Sequence, residues 1–150
     1  MTATSPSKET ILVADDEASI RRILETRLSM IGYQVVTACD GNEALDLFRN
    51  CEPDLVVLDV MMPKRSGFEV CQHLKSDPKT SSIMILMVTA LNELGDIERA
   101  VHAGTDDFLS KPVNKPELLK RVENMLALKD TRDENERLRR YIEKMDEPAT

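Results

Sequence analysis

Two adjacent carboxylates, Asp15 and Asp16, follow the apolar run Ile11-Leu12-Val13-Ala14, and a third, Asp59, follows Leu55-Val56-Val57-Leu58. Carboxylates set directly behind buried segments repel one another and raise each other's pKa, so something cationic must gather them. Three clustered carboxylates suit a hard divalent cation such as Mg2+, which takes oxygen ligands and keeps several waters. Lys111 offers a second, fixed positive charge, and Thr89 a hydroxyl that can donate to an anion. Around Asp59 these groups supply what an acyl phosphate needs. An aspartate is a known nucleophile for phosphorus, and neutralising the incoming charge is most of phosphoryl-transfer catalysis.

This chemistry requires that residues far apart in the chain meet. Short aliphatic runs alternate with helical patterns. Strands are predicted at Ile11–Ala14, Gln34–Ala38, Leu55–Leu58, Ile83–Val88 and Asp107–Ser110. Helices are predicted over Glu17–Met30, Gly41–Asn50, Phe68–Lys75, Asn92–Ala103 and from Lys115 onward, with Gly32 and Gly104 as stops. The middle strands are apolar throughout, as in a parallel sheet covered on both faces. The expected fold is α/β, a doubly wound five-stranded parallel sheet of flavodoxin-like type, with an extended C-terminal helix. Ligands bind such sheets at the carboxyl ends of the strands. Asp15, Asp16, Asp59, Thr89 and Lys111 each fall at or just after a strand end, which brings all five to one edge.

The chain has 150 residues and 41% hydrophobic content, which suits one domain with a small appendage. Its net charge of −7 disfavours nucleic acid or an anionic membrane as a direct partner. No apolar run reaches the length of a membrane span, and the N-terminus lacks an apolar signal core, so a cytoplasmic location is expected. Cys39, Cys51 and Cys71 show no metal or redox spacing and read as reduced thiols. His73 and His102 read as structural or surface residues.

The chain resembles the receiver domain of two-component response regulators. The matching residues are Asp15-Asp16-Glu17, Asp59 within Asp59-Val60-Met61-Met62-Pro63-Lys64-Arg65-Ser66-Gly67, Thr89-Ala90 and Lys111-Pro112. The resemblance runs from about Ile11 to Leu126. It implies that Asp15 and Asp16 bind Mg2+ together with Asp59 and the backbone carbonyl of Met61. It implies that Asp59 accepts phosphate from a histidine kinase or histidine phosphotransfer protein, and that Thr89 and Lys111 contact the phosphoryl group. Phe108 falls at the family's switch aromatic. Thr89 and Phe108 would move together and change the outer surface of the fourth helix, fifth strand and fifth helix, which contacts a downstream protein target or a second copy. A cis peptide is implied at Lys111-Pro112. Apolar Met61 and Leu91, each two residues beyond a site residue, imply slow self-dephosphorylation.

Blander explanations leave residues over. Asp15-Asp16 as a helix N-cap pair leaves Asp59 and Lys111 unexplained. A Mg2+-dependent aspartyl-phosphate phosphatase would want a carboxylate where Met61 stands. A flavin binder would want a Ser-, Thr- or Gly-rich loop where Asp15-Asp16-Glu17 stands. A signalling switch, not an enzyme, is expected.

Domain bounds are expected at residues 1–9 for a flexible lead-in, 10–128 for the receiver and 129–150 for a helical extension. In that extension Leu128, Thr131, Asn135, Leu138, Ile142 and Met145 alternate by three and four, an a/d stripe. Asp133→Arg137 and Glu136→Arg140 are correctly ordered i,i+4 pairs. The extension is compatible with a solvated helix, a docking peptide or a homodimerising coiled coil. After residue 128 no room remains for a DNA-binding or enzymatic output domain, so the chain is expected to act alone or as the front of a longer regulator.

Overall fold

A computed structural model describes residues 9–90, 94–112 and 114–145. The elements run β1 (Thr10–Ala14), α1 (Ala18–Ile31), β2 (Gln34–Ala38), α2 (Gly41–Cys51), β3 (Leu55–Asp59), α3 (Gly67–Ser76), β4 (Met84–Thr89), α4 (Leu94–Ala103), β5 (Asp107–Ser110) and α5 (Lys115–Met145). All strand pairs are parallel, in the order β2-β1-β3-β4-β5. The doubly wound five-stranded sheet expected from the sequence is therefore the fold.

The alternation of side chains across a strand splits the core in two. Leu12, Ala14, Val56, Leu58, Ile85 and Met87 face one layer, where α2, α3 and α4 contribute Ala44, Phe48, Phe68, Leu74 and Ala100. Ile11, Val13, Leu55, Val57, Leu86 and Val88 face the other, covered by Leu24 and Leu28 of α1 and by Leu118, Val122 and Met125 of α5. Apart from Phe48 and Phe68 the buried core is aliphatic, in keeping with the 3% aromatic content.

Several bounds differ from the sequence expectation in one informative way. Asp59 and Thr89 are the last residues of their strands and do not follow them, because Asp59 pairs with Val88 and Thr89 with Ser110. At α1 the N-cap is Glu17, and Asp15 Oδ1 accepts the Glu17 N–H at 2.9 Å. Asp15 thus serves the start of that helix, whereas Asp16 is exposed. Asp40 caps α2 by accepting from Glu43 N–H, and Ser66 with Glu69 forms a capping box at α3.

The Lys111-Pro112 peptide is cis. Gly32 ends α1 at a φ of 117°, in the left-handed region that only glycine enters freely. The lead-in 1–8, Leu91, Asn92 and the side chains of the pairs Asp133–Arg137 and Glu136–Arg140 lie outside the described residues. Among the described residues no helix is long and apolar enough to cross a membrane.

Candidate functional site

The parallel sheet puts Asp15, Asp59, Thr89 and Lys111 at one edge, each at the carboxyl end of its own strand. Asp15 continues β1 outward, its N–H donating to Ala38 carbonyl at 3.1 Å. Its own carbonyl accepts from Arg21 Nη1 at 2.7 Å. Lys111 extends the β4–β5 ladder by one rung, donating from its N–H to the Thr89 carbonyl at 2.7 Å.

Carboxylate oxygens of Asp15, Asp16 and Asp59 all lie within 4.8 Å of one another. Asp15 is 3% and Asp59 4% exposed, while Asp16 faces solvent. Lys111 Nζ reaches Asp15 Oδ2 at 3.1 Å and Asp59 Oδ2 at 3.4 Å. One ammonium therefore spans two buried carboxylates, and three negative charges face one positive. Burial pushes the Asp59 carboxyl up to about 6, and the neighbouring Asp15 charge pushes the same way against the pull of Lys111. Burial draws the Lys111 ammonium down, but the hydrogen bond it donates to Asp15 and the charges of Asp59 and Asp15 outweigh it, so its pKa is raised. The all-oxygen donors and the net negative charge fit a hard divalent cation.

Thr89 is fully buried on β4, one residue past the strand partner of Asp59. Met61 is exposed at the rim, and its N–H points to Asp59 Oδ1 at 3.4 Å. Phe108 on β5 is half-buried and packs on the core layer that contains Ala100 and Ala103 of α4. All five residues expected to do chemistry thus stand at one edge, with Met61 beside Asp59 and Phe108 on the neighbouring strand of Thr89.

Sequence reasoning missed what holds the loop after Asp59. Gly67 N–H donates to Val60 carbonyl at 2.9 Å, and a Cβ on Gly67 would overlap the carbonyl oxygen of Asp59. A Cβ on Gly41 would overlap the Arg65 carbonyl, and Gly41 N–H reaches Pro63 carbonyl at 3.4 Å. Pro63 and Gly67 marked a loop in the sequence, but nothing local signalled that glycines seat it against β3 and α2. The Arg21 bond to the Asp15 carbonyl carried no signal either.

Residues 11–123 match the response regulator receiver domain family. The chain belongs to that family. The chain is 55% identical over 120 residues to a protein named probable transcriptional regulator ycf27 from Cyanophora paradoxa, a match covering 80% of this chain and 49% of that relative. It is 41% identical over 120 residues to the DNA-binding dual master transcriptional regulator RpaA of Synechocystis, covering 80% and 50%. The chain spans about half the length of the curated relatives it matches. The crystal structure of a CheY-like response regulator receiver domain protein from Methanospirillum hungatei JF-1 superposes with a TM-score of 0.80 at 26% identity, over 84% of this chain and 99% of that one.

Proposed function

We propose that this receiver is a phosphoacceptor switch in which Asp59 is the reacting residue. The observation that carries the proposal is the single ammonium of Lys111 spanning Asp15 and Asp59 at the carboxyl edge of the sheet. A carboxylate oxygen of Asp59 attacks the phosphorus of a phosphohistidine on a kinase or phosphotransfer protein. The P–O bond forms, the P–N bond breaks, and the imidazole leaves as the neutral base after taking up a proton. With a pKa of about 6, Asp59 is mostly ionised at neutral pH and holds its nucleophilic form.

Lys111 sits beside the Asp59 carboxylate that attacks and offsets the charge that arrives with the phosphoryl group. Asp15, Asp16, Asp59 and the Met61 carbonyl are the groups that would hold Mg2+, which supplies a second positive charge against the phosphoryl oxygens. The buried hydroxyl of Thr89 donates to the new oxyanion. Phosphorylation adds about −1.5 to −2 charge at one spot, and Thr89 and Phe108 carry that change to the surface of α4, β5 and α5. That surface then binds a downstream protein target in the cytoplasm. Apolar Met61 at the rim cannot orient an attacking water, which favours a long-lived acyl phosphate and disfavours a phosphatase.

The names and length of the relatives support a second reading of the output. The target of the switch is a DNA-binding transcriptional regulator segment, joined to the receiver or separate from it. With a net charge of −7, these 150 residues themselves are poorly suited to touch DNA. Amide NMR of the chain with Mg2+ and beryllofluoride tests the switch: large shifts around Thr89, Phe108 and α4 are expected, and shifts confined to the loop after Asp59 would oppose it.

A further inference from the structure

Helix α5 carries two apolar stripes on opposite sides, one after the other. The first faces the sheet: Leu118, Val122, Met125 and Leu126 are buried. Lys129 closes it, with Nζ at 3.4 Å from Asp54 Oδ1, while Asp54 Oδ2 accepts Thr10 N–H at 2.9 Å. The helix is thereby fixed in rotation against the starts of β1 and β3. The second stripe starts at Leu128 (58% exposed) and continues at Leu138 (53%) and Ile142 (56%). At roughly 100° per residue Leu138 and Ile142 lie on the far side of the helix from Val122 and Lys129, and Leu128 lies on the flank between the two stripes. Nearer the N-terminus of α5 the same side is polar and exposed, at Glu117, Lys120 and Asn124. Apolar residues appear there only where the helix leaves the sheet, so no element of the receiver can bury them.

We infer that this stripe is one strand of a parallel, in-register two-stranded coiled coil with a second copy of the chain. The seam repeats every seven residues, with Leu128, Asn135 and Ile142 at a and Thr131, Leu138 and Met145 at d. A β-branched residue at a, Leu at d and one Asn at a select two parallel strands. Charge agrees: the register puts Glu134 at g and Arg139 at the e position it meets across a parallel pair. An antiparallel pair would set Arg132 and Arg139 of the two copies against each other. Asn124 and Glu117 continue the seam into the receiver as d positions, so the two receivers sit side by side with their α5 outer faces toward one another. Fewer than three heptads make the pairing weak and concentration-dependent.

The inference does not rest on Asp59 as phosphoacceptor, and its test uses the full chain without any phosphate donor. Sedimentation velocity across a concentration series should show a monomer–dimer equilibrium. The double substitution Leu138→Glu/Ile142→Glu should weaken it by about a hundredfold or more while leaving the receiver's melting and its Mg2+ response unchanged. Under mild oxidation Ile142→Cys should give far more disulfide-linked dimer than the parent chain, and Glu143→Cys no more than the parent. A chain that stays monomeric at the highest attainable concentration overturns the inference. So does a dimer that survives the double substitution, which would lie on another face, or a dimer in which Ile142→Cys fails to cross-link.

Discussion

Gly67, at the start of α3, lies so close to Asp59, at the end of β3, that its missing Cβ is what lets the two backbones meet. The φ of Gly67 is not in the left-handed region, so the demand is for space and not for backbone freedom. Gly67→Ala must push the loop away from β3. We expect a loss of about 1–3 kcal/mol in urea denaturation, the usual consequence of overpacking, and a weaker Mg2+ response because Asp59 moves. An unchanged midpoint would mean that the loop yields freely.

The Asp59 carboxyl has a pKa of about 6 in the fold against an ordinary 3.8. Between these values the folded chain holds a proton that the unfolded chain has released. Metal-free stability therefore falls as pH rises through this window, and the loss is complete above about pH 6. Asp59→Asn lacks the titration. Its advantage over the parent should be absent below about pH 4 and reach about 2–3 kcal/mol at neutral pH, read by denaturation in chelator. A constant difference across this range would contradict the raised pKa.

Mg2+ should stabilise the fold by mass action, by about 2.7 kcal/mol at a hundred times its dissociation constant. Asp16→Asn is the cleanest test, because Asp16 is exposed and makes little contribution to folding by itself. Its metal-free melting should match the parent, and its shift with Mg2+ should be smaller. An equal shift in both would exclude Asp16 from the metal site.

Lys111→Met leaves Asp15 and Asp59 buried and facing each other without a cation. Removing one partner of a buried ion pair costs about 3–5 kcal/mol, so the variant should be strongly destabilised at pH 7. Acidification to about pH 5 should recover part of the loss as a carboxylate takes up a proton. Denaturation at the two pH values checks both signs.

The apolar runs that made the strands visible also exposed the chemistry, since Asp15, Asp59, Thr89 and Lys111 each interrupt such a pattern at the same end. The fold follows from two-faced burial of Val56, Val57 and Leu86, which no local ambiguity disturbs. Strand ends were less legible, because Asp59 and Thr89 keep pairing with Val88 and Ser110 although their side chains are polar. Hydrogen bonding of the backbone, and not side-chain polarity, decides where a strand stops. Contacts that seat one element's end against a neighbouring backbone left no periodic trace. Arg21 on the Asp15 carbonyl and the close approach of Gly67 to the Asp59 carbonyl belong to this class. Lys129 on Asp54 is similarly invisible, since the residues are 75 apart and neither breaks a pattern.

The most direct measurement is the intact mass of the chain after incubation with acetyl phosphate and Mg2+. A gain of one phosphoryl group is expected, lost in Asp59→Asn and in chelator, with fragmentation placing it on Asp59. A folded, Mg2+-responsive chain that gains no mass, or an Asp59→Asn variant that gains as much as the parent, would contradict Asp59 as the phosphoacceptor.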